Sequence, residues 1–152
     1  MKLLDLLHRW TGGLIGLLLA LMGLSGAILL HKDAWIMLPH AGDAQIHDMA
    51  TVAGVVARLT ADPAARPTSF LFADETFGLH RVNYAGGAGA YADQSGEIVT
   101  RWAGIWDRPE LWLFDFHHYL FSGETGAAVA GTLGLIGLGF VVTGAILWWP
   151  RR

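Results

Sequence analysis

The polar and apolar positions fall into three blocks. Trp10 to Leu30 is a run of 21 residues without a charge, and Thr125 to Pro150 is a second such run of 26. About 20 apolar residues in helical form cross a bilayer core, so each run is long enough to span one. A chain of 152 residues holding two such helices would have little soluble protein left to bury them in. The expected fold is therefore a mainly α membrane protein, with two transmembrane helices flanking a small α+β extracytoplasmic module. A secretory signal peptide competes for the first run. Its apolar stretch is normally shorter, about 7–15 residues, and ends in a small-residue cleavage site.

The middle block alternates more finely. Residues 33–48 contain Pro39 and Gly42 and show little periodicity, which predicts a loop. Residues 48–60 carry apolar positions at helical spacing, with Asp48 or Thr51 as the N-cap, and Pro63 and Pro67 follow. Residues 69–84 read as two short strands broken near Asp74-Glu75. Gly86, Gly87 and Gly89 mark a turn, and residues 90–102 form a hairpin around Asp93-Gln94-Ser95-Gly96. Residues 109–121 are dense in aromatics and read as a helical lead-in at a membrane interface, with Gly123 and Gly126 able to kink or interrupt it. The expected division is 1–31 for the first end and helix, 32–108 for the module, 109–124 for the lead-in and 125–152 for the second helix and end.

Charge orients the chain. Lys2, Arg9, Arg151 and Arg152 stand at the ends against one acid, Asp5, whereas residues 31–124 carry six basic and twelve acidic side chains. Basic flanks mark the cytoplasmic side, so both termini are expected inside and the middle outside. Neither the ends nor the middle has the basic footprint of a nucleic-acid binder.

Chemistry is limited by what is missing. The sequence has no cysteine, which removes disulfides, covalent haem, thiolate iron–sulfur sites and cysteine nucleophiles. No nucleotide or flavin fingerprint and no acid/base constellation stands out. Seven histidines remain as the natural metal ligands. His8 and His31 bracket the first helix, separated by roughly 34 Å along a straight helix at 1.5 Å per residue, so they cannot share a metal. His117 and His118 precede the second helix, and adjacent helical residues point about 100° apart, which leaves one of them facing inward; His117 is the choice. His40, Asp43, His47 and Asp48 could hold a divalent ion in the outer loop, and His80 reads as structural. The histidines near the spans read equally as interfacial anchors. Gly12, Gly16, Gly23 and Ala27 fall on the His8 side of the first helix, and Gly126, Ala130, Gly134, Gly137 and Gly144 on one side of the second. Such bare stripes suit close helix packing or a flat macrocycle, and composition alone favours packing.

Three stretches resemble the PepSY-associated transmembrane proteins of bacterial inner membranes. They are Leu7-His8-Arg9-Trp10-Thr11-Gly12 followed by the Gly-rich helix and Ser25-Gly26, the hairpin segment Tyr91 to Ile98 with its Asp93-x-x-Gly96, and the run from His117 through Leu120-Phe121-x-Gly123-Glu124-x-Gly126 to Trp148-Trp149-Pro150-Arg151. The family is associated with haem-containing reductases, including enzymes that reduce ferric siderophores. The resemblance thus implies an inner-membrane electron-transfer protein with non-covalent haem b held by histidine pairs, one or two haems per assembly. It implies a periplasmic PepSY-like module serving as lid or docking surface, and a quinone or protein electron donor. His117 matches the family's ligand position and His118 replaces its basic neighbour. His31 would pair with His117 on the outer side. His8 would pair with its counterpart in a second copy on the inner side, with Arg9 and Arg151 near the propionates. Family members usually carry four or more spans, which implies a homodimer or a larger membrane complex here. The other expectation is a haem-free accessory or regulatory membrane protein whose module binds a partner protein.

Overall fold

The computed structural model describes residues 2–43 and 48–149. The chain divides into two compact units, residues 30–112 and the paired segments 1–29 and 113–152.

Helix α5 (Gly123–Trp148) is long and apolar enough to cross a membrane on its own. Helix α1 (Lys2–Leu30) is as long, but its limbs Lys2–Gly13 and Ile15–Leu30 are bent by 65°, so it counts as a span only when the two are taken together. The Gly12-Gly13 pair lies just before the break, and paired glycines are a common cause of such kinks. The two helices run antiparallel. Gly12 faces the Phe140 ring, Gly137 faces Leu19, and the His8 ring packs 4.6 Å from that of Phe140. Exposed Trp10 and Trp148 therefore lie toward the same end, the amphipathic belt expected at an interface.

Helix α4 (Pro109–Tyr119) leads into α5 through a sharp corner, the interruption expected near Gly123. Leu120 and Phe121 adopt left-handed backbone conformations at φ 47° and 57°, each costing roughly 1–2 kcal/mol in a side-chain-bearing residue. Ser122 N–H donates to the Tyr119 carbonyl at 2.8 Å and Gly126 N–H to the Ser122 carbonyl at 3.3 Å, which offsets part of that strain. The Tyr119 carbonyl occupies the space a side chain at Gly126 would need, so this glycine is required by close approach.

The other unit is an antiparallel meander in the order β1 (Ser69–Leu71), β2 (His80–Asn83), β3 (Gly89–Ala92) and β4 (Ile98–Trp102). The two short strands, their break and the hairpin lie where the residue pattern placed them. Asp74 makes the break by accepting bonds from Thr76 and Phe77. Asp93 makes the hairpin turn, accepting from the N–H groups of Ser95 and Glu97, while Gly96 takes φ 84°. Helix α3 (Met49–Leu59) is capped by Asp48, whose carboxylate accepts from Thr51 N–H at 2.8 Å. Its Arg58 guanidinium donates to the Ser95 carbonyl, and Val55 lies buried where Gly96 approaches.

One expectation fails here. Of the residues 33–48 expected as a loop, 44–47 lie outside the described residues, while α2 (Lys32–Met37) is helical and a 3-10 turn covers Leu38–His40. Tertiary burial supplies what periodicity could not show over six residues. Ile36 joins Leu79, Tyr91 and Trp102 in the core, with Trp35 and Met37 packed against it. Tyr91 is central there, 4.9 Å from the Trp102 ring and 5.5 Å from that of Phe77. Burial and the nearby Glu110 carboxylate push its phenol up to about 12.

His80 and Val82 pair with Ala92 and Ala90, and all four are buried on the opposite face from Tyr91. His80 Nδ1 accepts from Ala73 N–H at 3.0 Å, and its Nε2 is buried without a partner. That agrees with the structural role expected of it. Burial holds its pKa below the ordinary 6.5, although Asp93 pulls the other way. A depressed folded-state pKa contributes stability above pH 6.5, and that stability is lost as pH falls below 6.5 toward the folded value. Denaturant unfolding of the protein followed by the near-ultraviolet signal of its aromatic side chains should show stability falling from pH 6.5 to pH 5, and His80→Leu should flatten that slope. An identical slope in His80→Leu contradicts this assignment.

Candidate functional site

The helical unit encloses an open groove of about 510 Å³, within the size range of small-molecule and cofactor sites. Ala127, Ala130, Gly131, Gly134 and Gly137 of α5 form one side, Leu19, Met22 and Gly23 of α1 another, and His117 and His118 close one end. The small-residue stripe of α5 is thus divided among three tasks. Its middle lines the groove, Gly126 admits the Tyr119 carbonyl, and Gly144 lies beside the His8 ring. The stripe drawn on α1 assumed a straight helix and does not survive the 65° bend. Gly12 meets Phe140, Gly23 lines the groove, and a Cβ at Gly16 would meet nothing within 4 Å.

His117 is half-buried, and its ring lies over Gly26, where a Cβ would come within 2.7 Å of Cε1. Its Nδ1 lies 3.0 Å from the Met22 carbonyl and 3.0 Å from Ser25 Oγ. A carbonyl only accepts, so the proton is on Nδ1 and the Nε2 lone pair is free. Ser25 Oγ donates its own proton to the Met22 carbonyl at 2.9 Å, which leaves it an acceptor toward His117.

At the other end of the unit His8 Nδ1 and Thr143 Oγ1 are hydrogen-bonded at 2.8 Å, and Thr143 Oγ1 also lies 2.7 Å from the Gly139 carbonyl. His118 is exposed and stacked on Phe114 at 4.1 Å, with Nδ1 donating to the Phe114 carbonyl at 3.1 Å. His117 and His118 thus both carry the proton on Nδ1 and present Nε2, the arrangement of a metal-ligating imidazole whose other nitrogen is tied to a carbonyl. His80 has the reverse tautomer, with Nδ1 as acceptor.

The other candidates are placed as follows. His31 is exposed at the start of the other unit, where its carbonyl accepts from Trp35 N–H. Arg9 is exposed, 4.0 Å from Asp5, and lines a shallow hollow of about 490 Å³ with Leu6, Trp10 and Gly13. Arg151 and His47 lie outside the described residues. His40 pairs with Asp43 at 2.9 Å, and Asp48 is committed to capping α3. Among the described residues, no group of three histidine, aspartate or glutamate side chains is placed to hold a metal ion. The resemblance included Ser25-Gly26, but sequence reasoning assigned neither Ser25 nor Thr143 as the partner of an imidazole. Ser25 and Thr143 are hydroxyl residues inside apolar runs, and that contrast was the available signal.

A long apolar helix, a groove walled by glycine and alanine, and two histidines at its end make the helical unit the place of the candidate site. The family described as the PepSY-associated TM region matches residues 6–152, and the chain belongs to it. No curated protein and no solved structure matches the chain.

The fit over Gly26 is directly testable. Gly26→Val should displace the His117 ring, so that site-resolved diethylpyrocarbonate labelling of His117 rises toward that of exposed His118. Labelling of His117 as fast as His118 in the unaltered protein contradicts the geometry.

Proposed function

We propose that the chain is an inner-membrane electron-transfer protein that would hold b-type haem non-covalently, with His117 as a residue that holds it. The observation that carries this reading is the bare Nε2 of His117 at the end of a groove lined with glycine and alanine. The residues present suit the group: a neutral imidazole with its second nitrogen anchored is the donor such iron takes, and bare backbone leaves room for a flat ring. Haem would supply the one-electron chemistry.

The chain's own contribution is binding and orientation. Ser25 and the Met22 carbonyl hold the His117 proton on Nδ1, and the apolar walls of α1 and α5 keep water from the groove. His8, held by Thr143, is proposed as a second ligand at the other end of the unit, with Arg9 and Arg151 facing the carboxylates of that group. His31 stays a candidate for a further histidine holding the group by its place in the sequence, and His118 is the alternative to its neighbour. The remaining histidine is proposed to come from a second copy in a homodimer. The bacterial inner membrane, with both termini cytoplasmic and the module periplasmic, is the proposed setting. A quinone or protein is the proposed donor, and a ferric siderophore or other ferric complex the proposed acceptor.

The second reading is a haem-free accessory protein whose PepSY-like module binds a partner, favoured by the module's own buried core. A visible spectrum of detergent-purified protein from haem-replete cells separates the two. Sharp reduced b-type bands that are lost or halved in His117→Ala are expected. A colourless preparation overturns the haem reading in favour of the second.

A further inference from the structure

Ser25 stands out as a polar side chain only 3% exposed within an apolar helix. A buried serine in a helix can satisfy its hydroxyl on the preceding turn alone, and Ser25 does so on the Met22 carbonyl. That bond leaves its oxygen free to accept, and the acceptor site is filled by His117 Nδ1 at 3.0 Å. Two acceptors from one turn of α1 therefore converge on one ring nitrogen of α4. Gly26, next along the helix, leaves the space that the Cε1 side of the ring occupies.

We propose that Ser25 is a positioning residue for His117: it fixes the imidazole in the Nδ1–H tautomer and sets the ring plane, so that Nε2 is the atom available to a metal. Its consequence for haem rests on the function proposed above, but the tautomer does not. The Met22 carbonyl is a backbone group that no substitution removes, so it provides a floor of anchoring that Ser25 augments. Losing Ser25 leaves His117 with one acceptor in place of two, and the ring gains freedom to turn and to carry its proton on Nε2. With haem bound, a weaker pull on the Nδ1 proton makes Nε2 a poorer donor to ferric iron, which raises the reduction potential.

The test uses full-length protein in detergent, labelled with 15N-histidine, with His117 assigned by the His117→Ala spectrum. At a pH where the imidazole is neutral, wild-type His117 should be in the Nδ1–H form. In Ser25→Ala the Nε2–H form should appear, and Ser25→Thr, which keeps the hydroxyl, should restore the wild-type pattern. An Nε2–H ring in the wild type, or a tautomer unchanged in Ser25→Ala, overturns the proposal. The same variants are then examined with haem. Binding about tenfold weaker or more in Ser25→Ala, with a raised midpoint potential recovered in Ser25→Thr, supports the consequence. Haem bound by the wild type with neither quantity moved by Ser25→Ala overturns the positioning role while the haem reading stands. Absence of haem from the wild type overturns the haem reading, and the tautomer result then decides the Ser25 proposal alone.

Discussion

The contact between His117 Nδ1 and the turn of α1 that carries Met22 and Ser25 is the constraint on which the helical unit depends. This polar contact joins segments far apart in the sequence and ties α4 to α1 while orienting an imidazole. Its donors and acceptors are all accounted for. The serine proton goes to the carbonyl, the ring proton goes to both oxygens, and one lone pair is left unused. In a dry environment an unsatisfied polar group costs several kcal/mol, so a fully satisfied triangle is far more persistent than its parts would be in water. The His8–Thr143–Gly139 chain lies at the opposite end of the antiparallel pair.

Glycine makes the first contact feasible. Gly26 admits the His117 ring, and Gly126 admits the Tyr119 carbonyl at the α4–α5 corner. The corner accepts two left-handed side-chain-bearing residues, Leu120 and Phe121, and such strain persists only where surrounding structure determines it. Here it turns the chain within a few residues, which keeps His117 and His118 at the mouth of a groove walled by the α5 stripe.

Much of this was legible in the sequence, and the reasons differ by element. The hairpin and the helix at 49–59 were readable because Asp93 and Asp48 carry their hydrogen-bonding logic locally, in Asx turns and caps. The α5 span was readable from its apolar length. Helix α2 was not, since its six residues gain their stability from burying Ile36 in a core assembled from distant strands. The bend in α1 was not, because a glycine pair permits a kink without requiring one. At the site, the histidines were legible as residue types. Their ring partners were not, because these lie far off in the sequence: Ser25 is 92 positions from His117 and Thr143 is 135 from His8. His80 shows the same limit from the other side: its residue type matched the candidates, and only the N–H of Ala73 marks it as structural.

The central claim is that His117 Nε2 is a ligand atom. Low-temperature EPR of the oxidised protein carrying 15N-histidine tests it most directly. The account predicts a low-spin ferric signal with imidazole nitrogen coupling that is lost, or reduced by one site, in His117→Ala. A wild-type sample with no ferric haem signal, or a signal identical in His117→Ala, would contradict it.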